Sequence, residues 1–309
     1  MSKVKPFELF DVVDPGIEVP SGLRMIGSIN GFTDAGCVID QMTQNIFNKL
    51  EHQLIIEFDN DELLDYRARR PAMFFEKDHL ASYEPLVLGI YLVRDEAGIP
   101  FLFLHGYEPD FRWNAFADAI GRIIELFEVS DFTWVHSIPF PIPHTRPVGV
   151  TVSGNRGDMI DRFSEWRPET QVPGNIVHLL EYRLSEIGLP VVGFVLLVPH
   201  YLNDSDYPQA AVTGFELITA ATGLVFPTDQ LREEGTRFLE RLSKKVEENG
   251  ELEKLVTNLE QGYRSERAAT FGAQITQPRS EEPNAEEIAA ELEDYLANRL
   301  RNRNDEDSA

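Results

Sequence analysis

The stretch from residue 23 to residue 50 carries the pattern that most constrains the fold of this chain. An apolar run, Leu23–Ile29, precedes the glycine-containing turn Asn30–Gly36, and an amphipathic run follows that turn. Strand, tight glycine turn and helix succeed one another in this way in open α/β sheets, whose ligands bind beyond the carboxyl ends of the strands. Thr33 and Asp34 are common helix N-caps. The turn therefore predicts either a capped helix or a ligand site at the free N–H groups of that helix.

Strand-like and helix-like segments alternate along the first 227 residues. The strand-like runs are apolar, and several are continuous rather than alternating, which suits strands covered on both faces; they lie at 23–29, 53–58, 86–93, 100–105, 132–137, 148–152 and 191–198. Helical periodicity occurs at 36–50, 113–127, 174–187 and 208–222. The short connection 94–99 predicts a hairpin. The sequence thus predicts an α/β domain over 1–227, with a three-layer core and a mixed, mostly parallel sheet.

The residues after Pro227 predict an all-helical extension over 228–303. Two apolar stripes, at 231–246 and 252–263, are separated by Asn249-Gly250, which is typical of a helix stop. A linker is predicted at 270–283.

A further helix is predicted to begin at Asn284, with Glu287 at the capping-box position. Its apolar stripe is narrow and consists of Ile288, Leu292, Tyr295, Leu296 and Leu300. Such a stripe needs a partner surface, which is either this chain's other helices or another subunit. Residues 304–309 are predicted to be a disordered tail.

The charge of the chain limits its partners. The net charge is −24, which argues against binding to nucleic acid or anionic membranes, because both need basic surface. Cys37 is the single cysteine, so the chain can form no intrachain disulfide and no thiolate metal cluster. The N-terminal residues lack the apolar segment of a signal peptide, and the run 191–198 is too short to span a bilayer. The sequence predicts a cytoplasmic protein without a metal or cofactor.

Polar side chains follow several of the predicted strands. His105, His136 and His200 each come at the end of an apolar run. Because the carboxyl ends of parallel strands meet at one edge of a sheet, these histidines are expected near the glycine turn. The segment 139–147 joins the same edge, and its four prolines would hold His144, Thr145 and Arg146 in place.

Residues 66–71 form the one basic cluster of the first 230 residues. Its three arginines predict a seat for an anion, because guanidinium groups match carboxylate and phosphate. Pairing with the acids at 59–65 is the alternative. The complete candidate pocket consists of Asn30, Thr33, Asp34, Arg67, Arg69, Arg70, Glu108, Asp110, His144, Arg146 and His200.

The motifs of known catalytic sites are missing from the sequence. It contains no G-x-G-x-x-G, no P-loop, no zinc spacing of histidines and acids, and no G-x-S-x-G elbow. Glu108 and Asp110 could work as an acid/base pair, but Pro109 between them is typical of an ordinary turn. No complete catalytic set is predicted.

Taken together, the motifs resemble those of the proteasome assembly chaperone 2 family, in particular its actinobacterial branch of uncharacterised proteins. The resemblance covers about residues 7–227 and is carried by the segments 31–36, 65–71, 106–110, 141–147 and 198–201. It implies an α/β core similar to nucleoside phosphorylases and certain hydrolases. It also implies a role like that of the family's chaperones, which help to assemble proteasome α-rings. Those chaperones can dock through a terminal hydrophobic-Tyr-any tripeptide, which Asp307-Ser308-Ala309 does not match.

Two functional interpretations follow. The favoured one is a non-enzymatic interaction or assembly-chaperone-like protein. The alternative is an enzyme or binder of a small anionic metabolite, phosphorylase- or hydrolase-like, in which the arginines hold the anion and His144 or His200 acts as acid or base. A homo-oligomer is expected, with a trimer ahead of a dimer by analogy with phosphorylase-like folds.

Overall fold

The computed structural model describes residues 9–164, 167 and 169–272, with side chains as far as Tyr263. Ten strands are present in this part of the chain. They are β1 (Phe10–Val12), β2 (Arg24–Asn30), β3 (His52–Phe58), β4 (Ala72–Glu76), β5 (His79–Glu84), β6 (Gly89–Arg94), β7 (Pro100–Tyr107), β8 (Asp131–Phe140), β9 (Gly149–Gly154) and β10 (Val191–Pro199).

Eight α-helices accompany these strands within the same described ranges. They are α1 (Val38–Lys49), α2 (Asn60–Leu63), α3 (Trp113–Phe127), α4 (Gly157–Phe163), α5 (Ile176–Glu186), α6 (Pro208–Thr222), α7 (Asp229–Glu248) and α8 (Gly250–Gly272). Short 3₁₀ helices occur at Ala35–Cys37 and His200–Leu202.

The main sheet has eight strands in the order β1-β3-β6-β7-β2-β8-β10-β9. The four strands β7, β2, β8 and β10 are mutually parallel, and Met25 of β2 pairs with Leu102 on one side and Phe132 on the other. The remaining pairings are antiparallel, including the predicted β6–β7 hairpin. Three of the seven strand pairings are therefore parallel and four are antiparallel. The predicted mixed sheet is confirmed, but most of its neighbouring strands are antiparallel rather than parallel.

Helices cover both faces of this sheet. Phe101 and Phe103 of β7 join a core with α1, α4 and α6, whereas Leu102 and Leu104 join a second core with α3 and α5. Neighbouring residues of a strand point to opposite faces, so the continuous apolar runs serve both cores. The predicted three-layer α/β fold is confirmed.

The helix α7 packs back onto the α/β layers of its own chain. Leu231 and Leu242 lie in the first core, and Phe238, Leu239 and Val246 pack against it. The first compact unit ends at Glu260, so it includes α7 and the first part of α8. The second unit begins at Gln261, and the predicted helix from Asn284, its apolar stripe and the predicted tail lie outside the described residues.

The β4–β5 hairpin was not predicted from the sequence. All eleven residues of its two strands are exposed, although the hairpin contains the apolar run Met73-Phe74-Phe75. Among the described residues its two strands pair only with each other, and they form a separate two-stranded sheet. We call residues 72–84 the hairpin arm. Within the described residues, no helix combines the length and hydropathy that a membrane span requires.

Candidate functional site

Four parallel strands end on one side of the sheet. β2 ends at Asn30, β7 at Tyr107, β8 at Phe140 and β10 at Pro199. We call the loops that follow them, residues 31–37, 108–112, 141–148 and 200–207, the strand-end edge. All predicted pocket residues except Asn30 and the three arginines of the basic cluster lie in these loops. Asn30 is the last residue of β2.

The carboxylate of Asp34 caps the N-terminus of α1, the helix that follows the glycine turn. Its Oδ1 accepts hydrogen bonds from the backbone N–H of Ile39 at 2.8 Å and from the hydroxyl of Ser137 at 3.0 Å. Its Oδ2 accepts from the N–H of Asp40 at 3.1 Å. The cap reaches five and six residues ahead because the 3₁₀ turn, with Cys37 at φ 49°, lies between Asp34 and α1. The free N–H groups of α1 are thus bound by the chain's own carboxylate.

The basic cluster sends one arginine to the glycine turn. Gly31 has φ 125°, and a Cβ at this position would lie 3.2 Å from Nη2 of Arg69 and 3.1 Å from Cβ of Glu108. The guanidinium of Arg69 forms an ion pair with Asp110 and lies 5.5 Å from the ring centre of Tyr107. The positive charge beside the turn is therefore already balanced by a carboxylate.

The other two arginines of the cluster stay at the surface. Arg67 pairs with Asp65 at 3.1 Å, and its side chain is 85% exposed. Arg70 is also exposed. As the charge density predicts, the segment 59–71 forms the short helix α2 and turns rather than a buried strand, and the backbone N–H of Asp65 donates to Asp110 at 2.7 Å.

Glu108 binds the start of a second helix. Its Oε1 accepts a hydrogen bond of 2.6 Å from the N–H of Ile176, the first residue of α5. Burial raises the pKa of Glu108, while the bond from Ile176 and the charge of Arg69 act to lower that pKa. The backbone of Glu108 also donates to the carbonyl of Asn30 at 2.6 Å. Glu108 therefore ties β2, β7 and α5 together.

Two of the three predicted strand-end histidines lie inside strands and are buried or nearly so. Nδ1 of His105 donates to the carbonyl of Ser28 at 2.8 Å. Nε2 of His136 lies 3.2 Å from the hydroxyl of Thr33, and Phe32 stacks on its ring at 5.5 Å. Burial lowers the pKa of each histidine to about 4, so both are neutral near pH 7.

The proline-rich loop is held by Tyr201 and by α8. The hydroxyl of Tyr201 accepts from the backbone N–H of His144 at 2.8 Å and lies 2.6 Å from His144 Nδ1. Burial lowers the pKa of His144, while the charge of Glu260 acts to raise it. Glu260 binds Nε of Arg146 at 3.0 Å and also the hydroxyl of Thr145.

The predicted pocket residues form three groups at this edge. The first group contains Asn30, Arg69, Glu108 and Asp110. The second contains Thr33 and Asp34. The third contains His144 and Arg146 and lies beside the exposed His200. Side-chain contacts within the chain hold seven of these members: Thr33, Asp34, Arg69, Glu108, Asp110, His144 and Arg146. In the described part of the chain, no group of three or more histidines, cysteines and acids is placed to hold a metal ion.

Sequence reasoning missed the partners that hold these groups. These partners are Ser137, Tyr201 and Glu260, and each is far in sequence from the residue that it binds. Nothing in the local sequence distinguishes Tyr201 and Glu260 from neighbouring polar residues. One usable signal was Ser137, since it directly follows His136 at the strand end.

The comparisons with known proteins agree with this architecture. The sequence profile of the PAC2 family matches residues 28–246. This chain belongs to the PAC2 family. No curated protein matches it.

Solved structures extend the comparison. A Corynebacterium glutamicum protein of unknown function is 34% identical, with a TM-score of 0.80, and the match covers 84% of this chain and 97% of that one. A Mycobacterium tuberculosis protein of unknown function is also 34% identical, with a TM-score of 0.79 and coverage of 84% and 92%. A proteasome-assembly chaperone homologue from M. tuberculosis is 20% identical, with a TM-score of 0.69 and coverage of 76% and 100%. This last match shows the shared fold.

Proposed function

We propose that this PAC2-family protein is a non-enzymatic, assembly-chaperone-like protein that binds other protein chains. The observation that carries the proposal is the occupied strand-end edge. In α/β enzymes this edge presents side chains to a ligand. Here the carboxylates of Asp34 and Glu108 bind helix N-termini, and Arg69 and Arg146 bind Asp110 and Glu260.

The occupied edge gives little support to an anion-binding enzyme. An anion at the glycine turn would compete with Asp110 for Arg69 and with Asp34 for the N–H groups of α1. A general base at His144 would have to leave its 2.6 Å contact with Tyr201. The described residues of this edge supply structure rather than a set of reactive groups.

The hairpin arm supplies the surface that an interaction protein needs. Met73 pairs with Tyr83 and Phe75 with Leu80, so these four side chains share one face. They are between 51% and 62% exposed. Monomeric proteins rarely expose contiguous apolar patches larger than a few hundred Å², and larger patches mark interaction surfaces.

The relatives indicate which partners to test. One relative is named a proteasome-assembly chaperone homologue, so proteasome α-type subunits of the source organism are the first client. A second copy of this chain is the other partner, since apolar faces of two arms can cover one another. We expect a homo-oligomer, with a trimer ahead of a dimer.

A set of variants in the hairpin arm tests its role in self-association and its role in binding α-type subunits. In the triple variant Met73→Ser/Phe75→Ser/Leu80→Ser we expect a smaller assembly in light scattering and weaker retention of α-type subunits in co-purification. The matched control is Phe74→Ser, which removes an equally exposed side chain from the opposite face. Both variants should melt near the parent temperature, because these side chains lie outside the cores.

Each outcome of this test has one meaning. If the parent is monomeric at micromolar concentration and retains no α-type subunit, the proposed function is wrong. If the parent associates and the triple variant associates equally well, the function stands but the arm is not its surface.

A further inference from the structure

A cleft lies between α1 and α7, away from the hairpin arm, and Asp206 is the one residue of the strand-end edge among its lining residues. Its volume is about 410 Å³. Twelve residues line it, and those from α1 are Gln41, Gln44, Asn45, Asn48 and Lys49. Five of these twelve carry side-chain amides, whereas the whole chain has 23 Asn and Gln among 309 residues. Four of the five share one face of α1, since they are spaced three, one and three residues apart.

The amides of this cleft present their carbonyl oxygens. The Nε2 of Gln41 donates to the carbonyl of Gly36 at 2.7 Å, and that of Gln44 donates to Asp40 at 2.8 Å. The Nε2 of Gln230 donates to Glu234 at 2.8 Å. No described residue donates a hydrogen bond to the carbonyl oxygens of these three side chains. The amino groups are used within the protein, and hydrogen-bond acceptors remain.

Asn45 adds a buried acceptor to the same wall. The residue is 6% exposed, and its Oδ1 is buried with no hydrogen-bond partner among the described residues. Leaving a buried acceptor unpaired is unfavourable, because its hydrogen bonds to water are lost and not replaced. A hydrogen-bond donor in the cleft would recover this free energy when the Asn45 side chain rotates to bring its Oδ1 to the cleft surface.

The remaining lining residues define what kind of donor fits. Asp206 and Glu234 oppose Lys49 and Arg241, so the formal charges of the cleft cancel. The ring of Phe238, with Leu231 and Pro208, supplies an apolar patch. A net cation or anion gains little from such a site, whereas hydroxyl groups can donate to the amides and accept from the cations.

From this arrangement we propose that the α1–α7 cleft binds a neutral, hydroxyl-rich small molecule of about the size of a sugar ring. Its hydroxyl groups donate to the carbonyl oxygens of Asn45, Gln41 and Gln44, and its C–H face lies on Phe238. The volume lies at the small end of the range for ligand pockets, roughly 300–1,000 Å³. The proposal is independent of the arm and of any protein client.

The test is saturation-transfer NMR on the full chain with glucose, myo-inositol and mannitol as separate probes at millimolar concentration. We expect at least one probe to give a transfer signal with the parent. Asn45→Leu, which keeps the size but removes the acceptor, should weaken binding about tenfold, the equivalent of one hydrogen bond. Gln44→Leu should weaken it as well.

Gln53→Leu is the matched control, because Gln53 is an exposed amide on β3 outside the cleft, and its binding should equal that of the parent. Gln44 is exposed on α1, so Gln44→Leu decides the result if Asn45→Leu fails to fold. The proposal is overturned if none of the three probes gives a signal with the parent, or if the signal survives in Gln44→Leu and in folded Asn45→Leu.

Discussion

The carboxylate of Asp34 should contribute more to stability than an ordinary helix cap. It binds two backbone N–H groups at the start of α1 and the hydroxyl of Ser137 on β8. Substitution by alanine removes all three bonds at once. Substitution by asparagine keeps an oxygen acceptor but removes the negative charge.

The structure sets the size of the effect. Loss of a helix cap costs about 1 kcal/mol. Ser137 is fully buried and Ile39 is 1% exposed, so donors left without an acceptor there add about 1–3 kcal/mol. We therefore expect Asp34→Ala to lower the free energy of unfolding by about 2–4 kcal/mol, and Asp34→Asn by about 1 kcal/mol. At about 2–4 °C for each kcal/mol, the alanine variant should melt roughly 4–16 °C below the parent.

Urea unfolding measures these changes in the free energy of unfolding. The proteins to compare are the parent, Asp34→Ala, Asp34→Asn, Ser137→Ala and the double variant Asp34→Ala/Ser137→Ala. The double-mutant cycle should give a coupling of about 1 kcal/mol between Asp34 and Ser137. A loss below about 0.5 kcal/mol for Asp34→Ala would show that the three bonds do not stabilise the fold. Equal losses for the alanine and asparagine variants would show that the oxygen acceptor is irrelevant.

Two further predictions concern acid stability and α8. Burial holds the folded-state pKa of His136 at about 4, below its unfolded value near 6.5. The contribution of the neutral His136 to the free energy of unfolding is therefore complete above pH 6.5 and is lost as the pH falls to 4. The stability gap between the parent and His136→Asn, measured by urea unfolding, should narrow by up to about 3 kcal/mol between pH 7.5 and 4; a constant gap contradicts a buried neutral histidine. Glu260→Gln removes the carboxylate that pairs with Arg146. We expect this variant to lower the free energy of unfolding by about 1 kcal/mol and to speed amide hydrogen exchange at residues 250–260. The exposed pair of Glu233 and Arg237 is the control, and Glu233→Gln should cost about 0.3 kcal/mol; equal exchange in both variants would mean that Glu260 does not hold α8.

The periodicity of apolar residues predicted most of the sheet and its helices. The helices at 113–127 and 208–222 have the predicted bounds, and each predicted strand is present with shifts of up to three residues at its ends. These segments are long and buried, so local pattern and tertiary packing agree. β1 has three residues and β4–β5 have none buried, and such strands leave no clear periodic signal.

The location of the candidate site could be predicted from the sequence, but the contacts between its residues could not. The rule that parallel strands end together placed the glycine turn near the loops at 108–110 and 144–146. The sequence could not show that Asp34 reaches Ser137 across 103 positions, or that Glu260 closes on Arg146 across 114. Such long-range contacts depend on how strands, loops and helices finally pack, which local sequence does not encode.

The hairpin arm enters and leaves the fold at one point. Ala72 and Glu84 are cross-strand partners, so the chain departs from and returns to the α/β core within about 5.5 Å. Deeper in the core, Phe58 donates a 2.9 Å hydrogen bond to the carbonyl of Leu88, which closes the whole excursion between β3 and β6. The arm is consequently a separate insertion that can be shortened or lengthened without rerouting any strand of the main sheet. Changing the arm would therefore test the proposed interaction surface while the scaffold stays intact.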